Sequence, residues 1–173
     1  MMLAERFTSQ PVAGWWLSEK FDGVRAFWDG SALRTRTWRE IVAPAWFTAA
    51  LPKGTALDGE LWGGYGTFQT ASELARFWRH DDPAWRQFRF KLFDVPTTDA
   101  VKFENRQANL AAFANEIVQP VAVRRCACAE DVRAELAAVV RAGGEGLVLK
   151  RSGSFYEFGR SCEWLKVKPL GVD

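Results

Sequence analysis

Lys20 and Arg25 bracket the run Lys20-Phe21-Asp22-Gly23-Val24-Arg25, in which a cation, a carboxylate, a turn glycine and a second cation stand at fixed spacing. Lys20 ends an aromatic stretch just before a glycine turn, a position from which a side chain projects into a cleft. A lysine there can act as a nucleophile once its ammonium gives up a proton. Free lysine titrates near 10.4, so the reaction needs desolvation or neighbouring cations to lower that value. Arg25, across the turn, is one candidate source of that field. It is equally suited to hold a ribose or phosphate oxygen. The competing reading is a surface hairpin with solvated charges.

Four further runs carry groups that suit a phosphate-bearing substrate. Asp58-Gly59-Glu60-Leu61 closes a short apolar stretch, and its carboxylates can accept from ribose hydroxyls or help place a divalent cation. Alone it is also a common turn. Phe88 to Val95 alternates, so Phe88, Phe90 and Leu92 face one side of a strand and Lys91 and Phe93 the other. Phe93 is then either a stacking platform for a purine or part of a core. Glu145 opens the apolar strand Gly146-Leu147-Val148-Leu149-Lys150 directly after a glycine pair, as a metal or phosphate-side ligand would. In Trp164-Leu165-Lys166-Val167-Lys168-Pro169 the two lysines are two residues apart and share a strand face. Parallel ammonium groups can stabilise charge developing on a phosphate. Lysines guarding a solvated edge strand are the alternative.

These groups need a scaffold of short strands and a few helices. Asp22-Gly23 and Asp29-Gly30 favour tight turns between Trp15–Lys20, Val24–Trp28 and Ala32–Arg36. Leu57–Trp62 reads as a strand. Thr70–Trp78 reads as a helix with a Thr70/Glu73 capping box and Leu74, Phe77 and Trp78 on one face. Arg106–Val118 reads as a helix with Leu110, Phe113, Ala114 and Ile117 inward. Asp131–Ala142 reads as another, with Val132, Leu136, Val139 and Val140 inward, stopped by Gly143-Gly144. Leu147–Arg151 and Trp164–Lys168 supply the last strands. Antiparallel strands with peripheral helices make the class α+β.

Composition narrows the rest. The chain has 173 residues, 48% hydrophobic and 25% charged, with nine Trp and thirteen Phe, enough for a sizeable core and for base stacking. A net charge of +2 is too small to argue nucleic-acid binding, so any basic surface must be local. The three cysteines and single histidine lack four-ligand spacing, which favours buried free thiols over a structural metal. No apolar run is long enough for a membrane span. The N-terminus lacks the basic-then-apolar layout of a signal peptide.

Taken together and in this order, the runs resemble the covalent nucleotidyltransferases: ATP-dependent DNA ligases, RNA ligases and mRNA capping enzymes. KFDGVR, LDGEL, FKLFDV, EGLVLK and WLKVKP are similar to their motifs I, III, IIIa, IV and V, spanning Trp15 to Pro169. SEKFDGVRAFWDG, APAWFTAALP and LDGELW resemble the minimal bacterial DNA ligases of the Lig E type in particular. The resemblance implies an ATP-grasp-like fold of two antiparallel β-sheets with flanking helices and the nucleotide between them. It implies that Lys20 attacks the α-phosphorus of ATP and carries AMP as a covalent adduct. Arg25 and Arg36 would contact ribose and the 5′-phosphate side, and Glu60 the ribose. Phe93 would stack on adenine, and the backbone around Glu19 would read its edge. Lys166 and Lys168 would hold the α-phosphate. Glu60 and Glu145 would place Mg2+ or Mn2+.

The implied partners are ATP and nicked double-stranded DNA, with a monomeric chain and no membrane. AMP would pass to the 5′-phosphate of the nick before the strands join, as in DNA repair, replication or recombination. The implied location is cytoplasmic, or periplasmic where a leader has been removed. An RNA ligase or capping-type enzyme shares the first step, and a non-catalytic nucleotide- or DNA-binding module is the reading outside enzymes. NAD is disfavoured as adenylate donor because no NAD-specific extension precedes Lys20. Family members continue beyond motif V into an OB-fold lobe. Residues 1–169 are therefore expected to form the adenylation domain, and 170–173 the start of the hinge. Such a single lobe is expected to bind ATP or hold AMP but to self-adenylate slowly and seal nicks poorly. Labelled ATP and a denaturing gel check this; rapid, complete labelling with efficient sealing contradicts it.

Overall fold

The computed structural model describes residues 1–77 and 81–169. The chain folds into two compact units: Met1–Phe21, Thr97–Asn105 and Val121–Asp173 form the first, Asp22–Pro96 and Arg106–Pro120 the second. Each unit is built on one sheet, which bears out the α+β expectation.

The first unit holds five strands: β1 (Met2–Arg6), β2 (Trp16–Lys20), β9 (Arg124–Arg125), β10 (Gly146–Lys150) and β11 (Gly159–Val167). Their order is β1-β11-β10-β2-β9. Leu17, Leu147, Leu149, Leu165 and Val167 project from one face into a core with Val12, Cys126 and helix α4 (Ala129–Arg141). In α4, Val132 and Val139 are buried and Leu136 packs beside them, the i, i+4, i+7 stripe of an amphipathic helix. Glu130 and Asp131 in its first turn and Arg141 in its last complement the helix dipole. The predicted inward Val140 is 41% exposed, because it lies off that stripe. Only Cys126 is buried; Cys128 and Cys162 are exposed, so the expectation of buried thiols holds for one of three.

At the other end of the first unit's sheet, Glu104 collects several donors. It accepts from Trp16 Nε1 at 2.8 Å, Ser152 Oγ at 2.6 Å and the Gly153 amide. Burial raises its pKa, but these hydrogen bonds outweigh that and hold it at about 2. The Lys150 ammonium is buried over Trp164, 4.9 Å from the ring centre, and Phe103, at 5.5 Å.

The second unit holds β3 (Val24–Trp28), β4 (Leu33–Arg34), β5 (Glu40–Ile41), β6 (Leu57–Trp62), β7 (Arg89–Asp94) and β8 (Val118–Pro120), ordered β5-β4-β3-β6-β7-β8. Ala26, Trp28, Leu57, Leu61, Phe90 and Leu92 point into an aromatic-rich core with Phe47, Trp85 and Phe88. The Phe47 and Trp85 rings meet edge to face at 5.1 Å. The helices are short α1 (Ala45–Thr48) and α2 (Phe68–Arg76). A further helix, α3 (Phe103–Ala108), begins in the first unit and ends in the second. None of the described helices is long and apolar enough to cross a membrane.

Several local expectations were overturned. The strand read at Ala32–Arg36 covers only Leu33–Arg34, after which the chain turns. Helix α2 starts at Phe68, with Thr67 at its N-cap turned to the Gly64 carbonyl, so Thr70 and Glu73 form no capping box. Leu74 is buried but Phe77 is 61% exposed, and Trp78 lies outside the described residues, as do His80 and the expected hinge at 170–173. Arg106–Val118 is not one helix. A 3-10 turn covers Leu110–Phe113, then Asn115 Oδ1 accepts from the Ile117 and Val118 amides. Local Asn bonding of this kind competes with helix. It frees Val118 to pair in parallel with Phe90. A second parallel edge, β1 with β11, extends the last strand back to Gly159. The two sheets are thus antiparallel in their centres and parallel at one edge each.

Asp94 and Arg106 form a fully buried ion pair at 2.7 Å, with 0% and 2% exposure. Removing one partner strands the other charge. Asp94→Asn is therefore expected to cost about 3–5 kcal/mol of stability, read as a lower denaturant midpoint at unchanged slope.

Candidate active site

Strand pairing sets the register of the sheet face that carries Lys20. Lys20 at the end of β2 pairs with Gly146 at the start of β10. One step further in, Ser18, Val148, Lys166 and Arg6 form a continuous cross-strand row. Paired residues project to the same side, so Lys166 and Lys20 share the face opposite α4. Gly146 is required here by close approach: a Cβ would lie 2.2 Å from the Val167 carbonyl oxygen, and its φ is +159°.

Glu145, immediately before that glycine, is the centre of the cluster. One carboxylate oxygen accepts from the Lys20 ammonium, and the other from Lys168 at 2.8 Å. All three side chains are partly shielded, at 17% exposure for Glu145 and 27% for each lysine. Burial pushes the Glu145 carboxyl upward. Hydrogen bonds and charge from Lys168 and Lys20 outweigh it and hold the group below the usual carboxylate range. Glu145 therefore holds the Lys20 and Lys168 side chains together.

Lys168 lies one residue beyond β11 and still reaches Glu145. Glu145 bonds to Lys168 and Lys20, and Lys166 remains half-buried on the same sheet face. Glu19, the neighbour of Lys20, turns its side chain the other way. Its Oε1 is buried without a hydrogen-bond partner among the described residues.

In the second unit, Arg25, Glu60 and Lys91 make a cross-strand row on the sheet face away from the core. Arg25 donates two 2.7 Å bonds to Asp58, which is fully buried. Its guanidinium lies over the Phe93 ring at 4.8 Å. Phe93 is thus on the face opposite Phe90 and Leu92, as the alternation predicted, with an arginine covering one side of the ring. Glu60 accepts from the Gly23 amide at 3.2 Å. A Cβ on Gly23 would meet the Leu61 carbonyl oxygen at 2.2 Å, which explains glycine in that turn. Arg36 is exposed at the tip of the β4–β5 hairpin, beside Trp38, whose φ is +62°.

Sequence reasoning missed Asp58 as the partner of Arg25. It also missed Arg106 and Gln107, which grip the end of β7 through Asp94 and the Phe93 carbonyl. Asp58 and Asp94 both stood in motifs already singled out, but their burial was not legible there.

A family model for the ATP dependent DNA ligase domain matches residues 1–168. The chain belongs to this ligase family. The DNA ligase of Haemophilus influenzae is 33% identical over 175 residues, covering 97% of this chain and 63% of that protein. The ligase domain therefore spans less than two thirds of that relative. A solved Lig E DNA ligase superposes with a TM-score of 0.87 at 36% identity, covering 97% of this chain and 68% of the other. A Chlorella virus DNA ligase–adenylate has a TM-score of 0.81 at 22% identity, over 96% and 66% of the two chains, and supports the fold alone.

The Glu145 ion pairs carry a pH signature. Because its folded pKa is depressed, their stabilisation is present above the ordinary carboxylate range and is lost as pH falls through the lowered value. Unfolding free energies of the wild type and Glu145→Gln should differ at neutral pH and converge in acid. A gap that is constant with pH contradicts the assignment.

Proposed function

We propose that this chain forms a lysyl-AMP at Lys20 from ATP and passes the AMP to the 5′-phosphate of nicked duplex DNA, leading to strand joining. The observation that carries the proposal is the Lys20–Glu145–Lys168 cluster at the aligned ends of β2, β10 and β11. ATP phosphates compete for the same lysines that Glu145 holds. Lys168 and Lys166 turn to the α-phosphate, and Lys20 exchanges its bond to Glu145 for the approach to phosphorus. The ammonium then gives one proton to solvent, which exposes the lone pair. A nitrogen–phosphorus bond forms, the bond to the β-phosphate oxygen breaks, and pyrophosphate leaves.

The second unit carries groups suited to the rest of the nucleotide. Glu60 and Arg25 match ribose hydroxyls and phosphate oxygens, and the Phe93 ring suits adenine. The backbone at Glu19 suits the adenine edge, and exposed Arg36 suits the 5′-phosphate of DNA. Among the described residues no group of three or more His, Cys, Asp or Glu is poised to hold a metal. The ionised Glu145 is nevertheless a hard oxygen donor, and Mg2+ or Mn2+ commonly takes only one or two carboxylates plus substrate phosphates. Glu145 and Glu60 are the residues that would serve, and the ion would neutralise charge on the departing pyrophosphate. Similarity to DNA ligases over almost the whole chain favours DNA over the RNA-joining and capping alternatives.

Intact-mass spectrometry after ATP treatment tests the reading. The wild type should gain one AMP and lose it again with added pyrophosphate. Lys20→Ala should gain none; an adduct persisting in that variant removes Lys20 as nucleophile.

A further inference from the structure

Strand β2 has five residues, and one of them, Leu17, enters the core beside α4. Apolar patterning therefore fixes its register weakly, since a two-residue slip leaves every side chain on its own face. Such a slip would carry Lys20 about 6.8 Å along β10, away from its place opposite Gly146. Pairing also holds β2 unevenly. At its first end, Trp16 and Leu17 pair with β9 on one side and β10 on the other. From Ser18 to Lys20 the strand pairs with β10 alone among the described residues. The end that bears Lys20 thus depends on how firmly the other end is held.

Trp16 carries the bonds that hold it. Its indole Nε1 donates to Glu104 at 2.8 Å. The Arg125 guanidinium lies 4.4 Å from its ring centre, and the Phe103 ring stands beside it at 6.3 Å. Glu104 is itself fixed. It accepts from Ser152 Oγ at 2.6 Å and from the Gly153 amide at 3.1 Å, and so grips the turn between β10 and β11. The neighbouring Phe103 is buried and donates its amide to the Ser154 carbonyl at 2.8 Å. Ser154 closes the turn, its hydroxyl donating to the Arg151 carbonyl at 2.7 Å. One carboxylate therefore joins the start of β2 to the turn of the hairpin against which β2 lies. Hydrogen bonds to an ionised acceptor are roughly twice as strong as neutral ones, and they are directional.

We propose that Glu104 is a positioning residue for Lys20: through Trp16 it ties β2 to the β10–β11 turn and so sets the register in which the nucleophile stands opposite Gly146. The inference rests on the lysyl-AMP reading above for the role of Lys20. Trp16 and Lys20 are four residues apart, roughly 14 Å along an extended strand, so Glu104 acts through the backbone of β2 and not on the reacting atoms. A displacement of about 1 Å at the reacting atoms costs as much as about 100-fold in rate.

Trp16→Phe, which keeps a ring and removes the indole donor, and Glu104→Gln test the link, alone and combined. Each is measured for the rate of lysyl-AMP formation at saturating ATP, the half-saturating ATP concentration, the denaturant midpoint and hydrogen exchange of the β2 amides. Each single variant should lose up to about 100-fold in saturating rate at an unchanged half-saturating concentration. The double variant should be no slower than the slower single, because both substitutions break one bond. Faster exchange at Ser18, Glu19 and Lys20 should accompany the loss. Arg151→Gln, which opens the exposed Arg151–Glu163 pair beside the same turn, should react at the wild-type rate. Wild-type rates in folded Trp16→Phe and Glu104→Gln overturn the proposal. So do losses that multiply in the double variant, or an equal loss in Arg151→Gln. If the wild type forms no lysyl-AMP, the adenylation reading fails and exchange alone decides the register. In that case faster β2 exchange in Trp16→Phe upholds the role of Glu104, and unchanged exchange overturns it.

Discussion

Glu145 is shared between Lys20 and Lys168, and the arrangement of the first unit follows from the need to put that carboxylate there. A half-buried carboxylate between two ammonium groups is stable only where hydrogen bonds compensate for lost water. Three strand ends must therefore stop together. Helix α4 ends at the Gly143-Gly144 turn, so Glu145 enters the cluster from a fixed direction. Gly146 then lets β10 pass within contact of the Val167 carbonyl, bringing Lys168 to the second oxygen. A side chain at that glycine would separate the strands and the two lysines with them.

The second unit solves a similar problem in a different way. Its charges are paired within the sheet and beneath it: Arg25 with Asp58 on one face, Asp94 with Arg106 at the strand end. These pairs fix where the Phe93 ring and the Arg25 guanidinium stand. Buried ion pairs contribute little net stability compared with apolar packing, but breaking one is costly. Their value here is positional. An aromatic core of Phe47, Trp85, Phe88 and Phe90 supplies the stability against which such pairs can be held.

Charge in this chain is organised by location. The small net charge hides a groove with five cations, Arg6, Arg133, Arg160, Lys166 and Lys168, and an acidic remainder. Part of that pattern also serves order: Glu104, held at about 2, ties β2 to the turn after β10 through Trp16, Ser152 and Gly153. Strand β2 is thus anchored at Trp16 by Glu104 and at Lys20 by Glu145.

The sequence by itself determined the family, the α+β class and most strand positions, because strand alternation, turn glycines and motif spacing are local properties. Leu57–Trp62 was read at its observed bounds, and the placement of Phe93 opposite Phe90 followed from period two alone. Tertiary structure decided which groups meet. The 106–118 segment looked helical by its apolar spacing, but Asn115 and the parallel pairing of Val118 overrode it. Asp58 read as a ribose or cation ligand or a turn acid, and Asp94 had no reading, until burial showed them as the partners of Arg25 and Arg106. The groove draws Arg6, Arg133 and Arg160 from distant parts of the sequence through the β1–β11 edge and α4. Local pattern encodes which way a side chain points; only long-range pairing sets what it points at.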